Sequence, residues 1–240
     1  MASPLEQFRI EPIVPITVGE FDLSFTNSSL WMMASVAAVY GFVMAGTMRP
    51  AMVPGRLQSL VELAFEFVSD LVRENAGKEA MRYFPAVFSL FMFILAGNTL
   101  GMVPGAFTFT SHIIVTFFMA ICVWLGVTFL GFWLHGAKFL GFFVPHGAPK
   151  IMLPLLVPIE IMSYCVRPIS LSVRLFVNMM AGHTMLKVFA GFIIALGIFG
   201  VGPLAVTVAL TGFEFVVAFL QAYIFTVLTC LYLHDAIHMH

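Results

Sequence analysis

The chain has 240 residues, 61% of them hydrophobic and only 10% charged, with a net charge of -1 and a mean hydropathy of +1.03. A soluble domain is about half apolar and about a quarter charged, so this composition excludes one and reads as an all-α integral membrane protein. Near-zero net charge gives nucleic-acid binding no electrostatic support; Cys122, Cys165 and Cys230 lie far apart in apolar segments and read as small core residues, not as a disulfide or metal set.

Residues 1–28 form a polar N-terminal segment in which Glu6, Glu11, Glu20 and Asp22 face a single Arg9; residues 29–240 read as one membrane domain. The opening Met1-Ala2-Ser3-Pro4-Leu5-Glu6 has neither the basic-then-apolar pattern of a signal peptide nor an Arg-rich transit sequence. The first span covers about 29–48 and ends at Arg49-Pro50. Over 56–82, Leu57, Leu60, Val61, Ala64, Phe65, Val68, Leu71 and Val72 recur at helical steps, with Glu62, Glu66, Asp70, Arg73 and Glu74 between them. That pattern predicts an amphipathic helix on the membrane surface or against other helices, not a span. Further spans follow at about 84–103, closing at Pro104-Gly105, and at 113–134.

From 153 to 199 the helical pattern runs unbroken, which at 1.5 Å per residue is about 70 Å, more than twice the apolar thickness of a bilayer. A second long helix covers 204–233, after Gly197, Gly200 and Gly202-Pro203. The two predict a long tilted hairpin, with Pro158 and Pro168 able to bend its first arm. The architecture is therefore about five membrane helices plus one amphipathic surface helix. Arg49, Arg56, Arg73, Lys78, Arg82, Lys138 and Lys150 put the intervening loops on the cytoplasmic side (or the matrix side of an organelle). The N-terminus then lies outside and the C-terminus inside.

The hairpin holds polar residues that an apolar helix does not need. Glu160, Ser163, Arg167, Ser170, Arg174 and Asn178 are three or four residues apart and share one helix face. Arg174 brings a permanent charge to mid-helix, at about 2.5 to 3.5 kcal/mol on insertion scales. Such residues mark ion pathways, proton relays or voltage sensors. His183, nine residues on, points about 180° away, with Lys187 one turn further. On the second arm Thr207, Thr211, Glu214 and Gln221 form another stripe, and Glu214 is the only acid in that apolar helix. A turn near 197–203 brings His183 and Glu214 within reach of each other, an imidazole and a carboxyl suited to proton exchange. Plainer readings stand beside this one. Ser and Thr bond to the helix carbonyl one turn back, a lone histidine packs as a satisfied residue, Lys187 snorkels to a headgroup layer, and Glu214 with Arg174 forms a structural ion pair.

The segment Arg167-Pro168-x-Ser170-Leu171-x-x-Arg174-Leu175-Phe176-x-Asn178-Met179-x-Ala181-Gly182-His183, followed by Leu220-Gln221-Ala222-Tyr223-Ile224-Phe225-x-x-Leu228-Thr229, closely resembles subunit a of the F-type ATP synthase. Gly97-Asn98-Thr99-Leu100-Gly101-Met102-Val103-Pro104 and Glu160-Ile161-x-Ser163 are similar to that family too, and the likeness runs from about residue 30 onward. The resemblance implies a non-catalytic stator subunit beside a rotating ring of c subunits, with b-type peripheral stalk and other synthase subunits as partners. It implies two offset half-channels and no cofactor, the proton being the transported ion. Arg174 then separates the half-channels, Asn178, His183, Glu214 and Gln221 belong to the outer one, and Glu160, Ser163 and Ser170 lie nearer the inner one. Many bacterial members carry Glu and His where this chain has His183 and Glu214. The exchanged order is that of mitochondrial members, which suggests a mitochondrial-like bacterial inner membrane or, alternatively, a mitochondrial inner membrane.

Three other classes compete. A secondary transporter with a mid-membrane site has broken helices in two repeats, whereas only one half of this chain has polar membrane helices. A haem-binding electron carrier needs histidines on facing helices, and only His183 lies deep in a span. A hydrolase is unsupported, since Gly-x-Ser-x-Gly and His-Glu-x-x-His are both missing from the sequence.

Overall fold

The computed structural model describes residues 8–15, 17–18, 21–22, 24–48, 50–103, 105–144 and 152–238; Glu6, Glu20, Arg49, Pro104 and Lys150 lie outside the described residues. Among the described residues five helices are long and apolar enough to cross a bilayer. They are preceded by short strands: β1 (Pro12–Val14) pairs antiparallel with β4 (Phe25–Thr26), and β2 (Thr17–Val18) with β3 (Phe21–Asp22). Asn27 anchors this segment to the first helix, its amide donating to the Arg9 carbonyl at 3.0 Å while its backbone N–H donates to the Glu11 carbonyl at 3.1 Å.

Helix α1 (Asn27–Thr47) is capped by Thr26, whose hydroxyl accepts from the Ser29 N–H. Helix α2 (Arg56–Ala76) packs against α1 and against the last helix of the chain. It buries Val61, Val68, Leu71 and Val72 but leaves Leu57, Leu60 and Phe65 exposed. The helix expected over 56–82 ends at Ala76, because Gly77 turns to φ 85°, a region side chains with a Cβ avoid; Lys78–Tyr83 continues as a 3-10 turn. Helix α3 (Phe84–Gly101), a short 3-10 turn (Phe109–Ser111) and helix α4 (Ile113–His135), extended by a 3-10 segment (Gly136–Phe143), complete the first half.

The hairpin consists of α5 (Leu153–Leu196) and α6 (Val201–Ile237), 44 and 37 residues long, or about 66 and about 55 Å. The first arm stops at Leu196 instead of 199, where Gly197 adopts φ 53°. The second starts at Val201 and continues to Ile237, beyond the expected 204–233. Pro203 fits its first turn, where the N–H that proline lacks has no intrahelical partner.

On α5 the buried Leu171, Leu175 and Met179 each follow by one position Ser170, Arg174 and Asn178. One residue is about 100° of rotation, so packing the apolar set against α4 and α6 turns the polar set away. The core also takes in Val68 and Val72 of α2, Phe91 and Ile94 of α3, Ala120 of α4, and Ala222, Phe225 and Leu233 of α6. With lipid as solvent, close packing of such residues holds the helices together more than exclusion of water does.

Candidate functional site

Antiparallel packing of α5 on α6 sets His183 opposite Glu214: His183 Nε2 lies 3.6 Å from Glu214 Oε1, close enough for an ion pair and too long for a hydrogen bond. Glu214 is 5% exposed. Its carboxyl occupies space left by Gly182, where an added Cβ would come within 2.6 Å of Oε1. Asn98 of α3, fully buried, donates from Nδ2 to the Ala218 carbonyl at 3.2 Å and ties α3 to α6 one turn beyond Glu214.

A third group completes the pair. The buried Thr108 hydroxyl, in the connection between α3 and α4, lies 3.0 Å from His183 Nε2 and 3.0 Å from the Gly101 carbonyl. It has one proton for two neighbours. When that proton goes to the Gly101 carbonyl, Thr108 can only accept, so Nε2 must carry a hydrogen; when Nε2 is bare, the hydroxyl can turn to donate to it. Thr108 thus follows the protonation of the imidazole. A cleft of about 420 Å³ opens onto His183 near the hairpin turn, bounded by Phe8, Lys187, Thr207 and Thr211. The Thr207 and Thr211 hydroxyls donate to the carbonyls of Pro203 and Thr207, the ordinary habit of threonine in a helix.

Gln221 is buried and Asn178 half-buried. Gln221 follows Glu214 by seven residues and Arg174 precedes His183 by nine, so these side chains lie about 10 and about 14 Å deeper along the hairpin than the pair. Arg174 is exposed, as are Ser163 and Ser170; Glu160 is half-buried. The stripe is a ladder on one open face and its members are not gathered into a cluster. Among the described residues the one ion pair between permanently charged partners is Arg167–Asp235; His183–Glu214 and His238–Glu79 become ion pairs only when the imidazole is protonated, and Arg174 belongs to none of the three. The alternative of a structural Glu214–Arg174 pair is thereby set aside: Glu214 faces His183.

Sequence reasoning missed Thr108 and quoted Asn98 and Gly182 only within motifs. Thr108 gave no signal, because its loop carries no charge near it; Gly182 was visible only as the small residue beside His183.

A helical membrane protein with an imidazole at an open cleft, a buried carboxyl behind it and, deeper on α5, an exposed guanidinium that is in no ion pair among the described residues has the parts that ion conduction needs. Comparison with known proteins gives the family. Residues 29–234 match the ATP synthase A chain family, and the chain belongs to it. It is 57% identical to the ATP synthase subunit a of Parvibaculum lavamentivorans, over 98% of this chain and 94% of that one. It is 59% identical to that of Rhizobium etli, over 98% and 97%, and 54% identical to that of Rhodospirillum rubrum, over the whole of both. The match spans all five membrane helices and leaves the secondary-transporter reading without support.

Proposed function

We infer that this chain is the proton-translocating stator subunit of an F-type ATP synthase in a bacterial inner membrane, non-catalytic, cofactor-free, with its N-terminus outside and its C-terminus in the cytoplasm. The reading rests above all on the exposed, unpaired guanidinium of Arg174. Its partners are the carboxylates of a c-ring turning past α5 and α6, with b-type stalk helices bracing the chain elsewhere.

Protons enter by the cleft, pass the Thr108–His183–Glu214 group, and move by Gln221 and Asn178 to a ring carboxylate. Once neutral, that carboxyl can turn into lipid. After nearly a full rotation it meets the inner path along Ser170, Ser163 and Glu160 and releases its proton. Arg174 keeps the paths apart: its fixed charge repels a proton passing straight through and stabilises the ionised carboxylate opposite. Each proton crossing 100 mV supplies about 2.3 kcal/mol for rotation. Arg174→Ala is expected to abolish proton-driven ATP synthesis by membrane vesicles while the complex still assembles at normal abundance. Near-normal synthesis in that variant would remove the assignment.

A further inference from the structure

Two arginines share the polar face of α5. Arg167 and Arg174 are seven residues apart, about 20° short of two full turns, with a rise of about 10 Å. Their surroundings are opposite. Arg174 is exposed and in no ion pair among the described residues. Arg167 is caged: Nη1 donates to Asp235 Oδ2 of α6 at 2.8 Å, and the guanidinium lies 5.1 Å from the Tyr232 ring centre, 5.3 Å from that of Tyr164 and 6.0 Å from that of Phe142. The cage is itself fixed, since the Tyr164 hydroxyl meets Thr128 Oγ1 at 2.6 Å and its carbonyl accepts from Trp124 Nε1 at 3.1 Å.

Building on the stator reading, we propose that Asp235 masks the charge of Arg167, so that Arg174 is, among the described residues, the one free cation on the face that meets the rotor. Arg167 lies between Ser163 and Ser170 on the stripe assigned to the inner path. Unmasked, it would be a second fixed positive charge there, repelling protons that leave and offering the ring carboxylate a second resting place two turns from the proper one. The aromatic rings hold the guanidinium without cancelling its charge; only Asp235 does that. Asp235 acts through Arg167 and is a positioning residue for charge.

The test uses membrane vesicles carrying the whole ATP synthase, with Arg174 intact throughout, and reads gradient-driven ATP synthesis per assembled complex. Asp235→Asn keeps the shape and removes the mask, and is expected to slow synthesis on the order of tenfold, the size of a unit-charge interaction across about 10 Å of partly solvated protein. Removing both charges, Arg167→Gln with Asp235→Asn, should bring the rate back to within about twofold of wild type, a non-additivity that a pure clamp between α5 and α6 would not produce. A double variant as slow as Asp235→Asn, or a normal rate in Asp235→Asn alone, would overturn the masking. If Asp235→Asn fails to assemble, the double variant decides: near-wild-type synthesis supports masking, and failure to assemble refutes it in favour of a clamp. None of these outcomes touches the role of Arg174, which stands or falls on Arg174→Ala.

Discussion

A single hydroxyl proton answers the protonation of the His183 imidazole. Thr108 is 3.0 Å from both His183 Nε2 and the Gly101 carbonyl, so each change of the imidazole can be answered by a turn of the hydroxyl and needs no movement of a helix. Glu214 receives no such help: it faces His183 at 3.6 Å across the space kept open by Gly182. The two residues should therefore fail differently. Glu214→Gln removes the titrating group and is expected to cut ATP-driven proton pumping severely and to alter its pH–rate profile. Thr108→Val removes only a hydrogen bond, worth about 0.5 to 1.5 kcal/mol, and should slow pumping by roughly two- to tenfold, with Thr108→Ser restoring it. Normal pumping in Thr108→Val would reduce the hydroxyl to a cap on the Gly101 carbonyl.

The connection between α3 and α4 is where a loop does the work of an element, and it carries a second, half-buried group. His112, just ahead of α4, stacks on Phe107 with ring centres 5.1 Å apart, and burial pushes its imidazole below the ordinary histidine range. Because the folded state holds this proton less tightly than the unfolded one, the stability from burying the neutral ring is present above about pH 6.5 and is lost as the pH falls below it. His112→Phe keeps the stack and removes the titration. The melting temperature of the purified complex should then fall less steeply between pH 6.5 and 5 than in wild type; identical slopes would show that this ring does not carry the acid sensitivity. Neither role of the loop was legible in the sequence. Hydropathy and helical spacing located the apolar spans and the polar stripes, because a face repeats every three or four residues whatever it packs against. Proximity to a turn was enough to suggest that His183 and Glu214 meet. Thr108 docks on a residue 75 positions later, and Arg167 on one 68 positions later, which are facts of tertiary packing with no local trace. The ends of α2, α4 and α5 likewise depend on the positive φ of Gly77, Gly136 and Gly197, whereas Gly182 and Gly191 sit inside a helix.

Seen as one body, the protein exposes apolar side chains over much of its surface, as any protein dissolved in lipid does, so apolarity alone cannot separate a lipid face from a rotor face. Along α5 Val166, Ile169, Val173 and Val177 are exposed; Ser163 precedes them, and Ser170 and Arg174 stand between them. A guanidinium turned to hydrocarbon costs at least about 2.5 kcal/mol, while the same group facing a carboxylate recovers that cost as attraction. The face with the free arginine is therefore the one a partner must cover. The expected partner is a small, highly apolar hairpin protein present in many copies and carrying a mid-membrane acid, and it should co-purify with this chain. Cysteine pairs can locate the contact. In a complex with a cysteine placed near the acid of the ring protein, Ser170→Cys and Val177→Cys should form disulfide cross-links to it on mild oxidation. Leu171→Cys, one residue away but only 3% exposed, should not. Should Ser170→Cys react readily with a lipid-soluble maleimide in the intact complex yet never join the ring, the face would be turned to lipid, and the electrostatic case for Arg174 as the gate would fail with it.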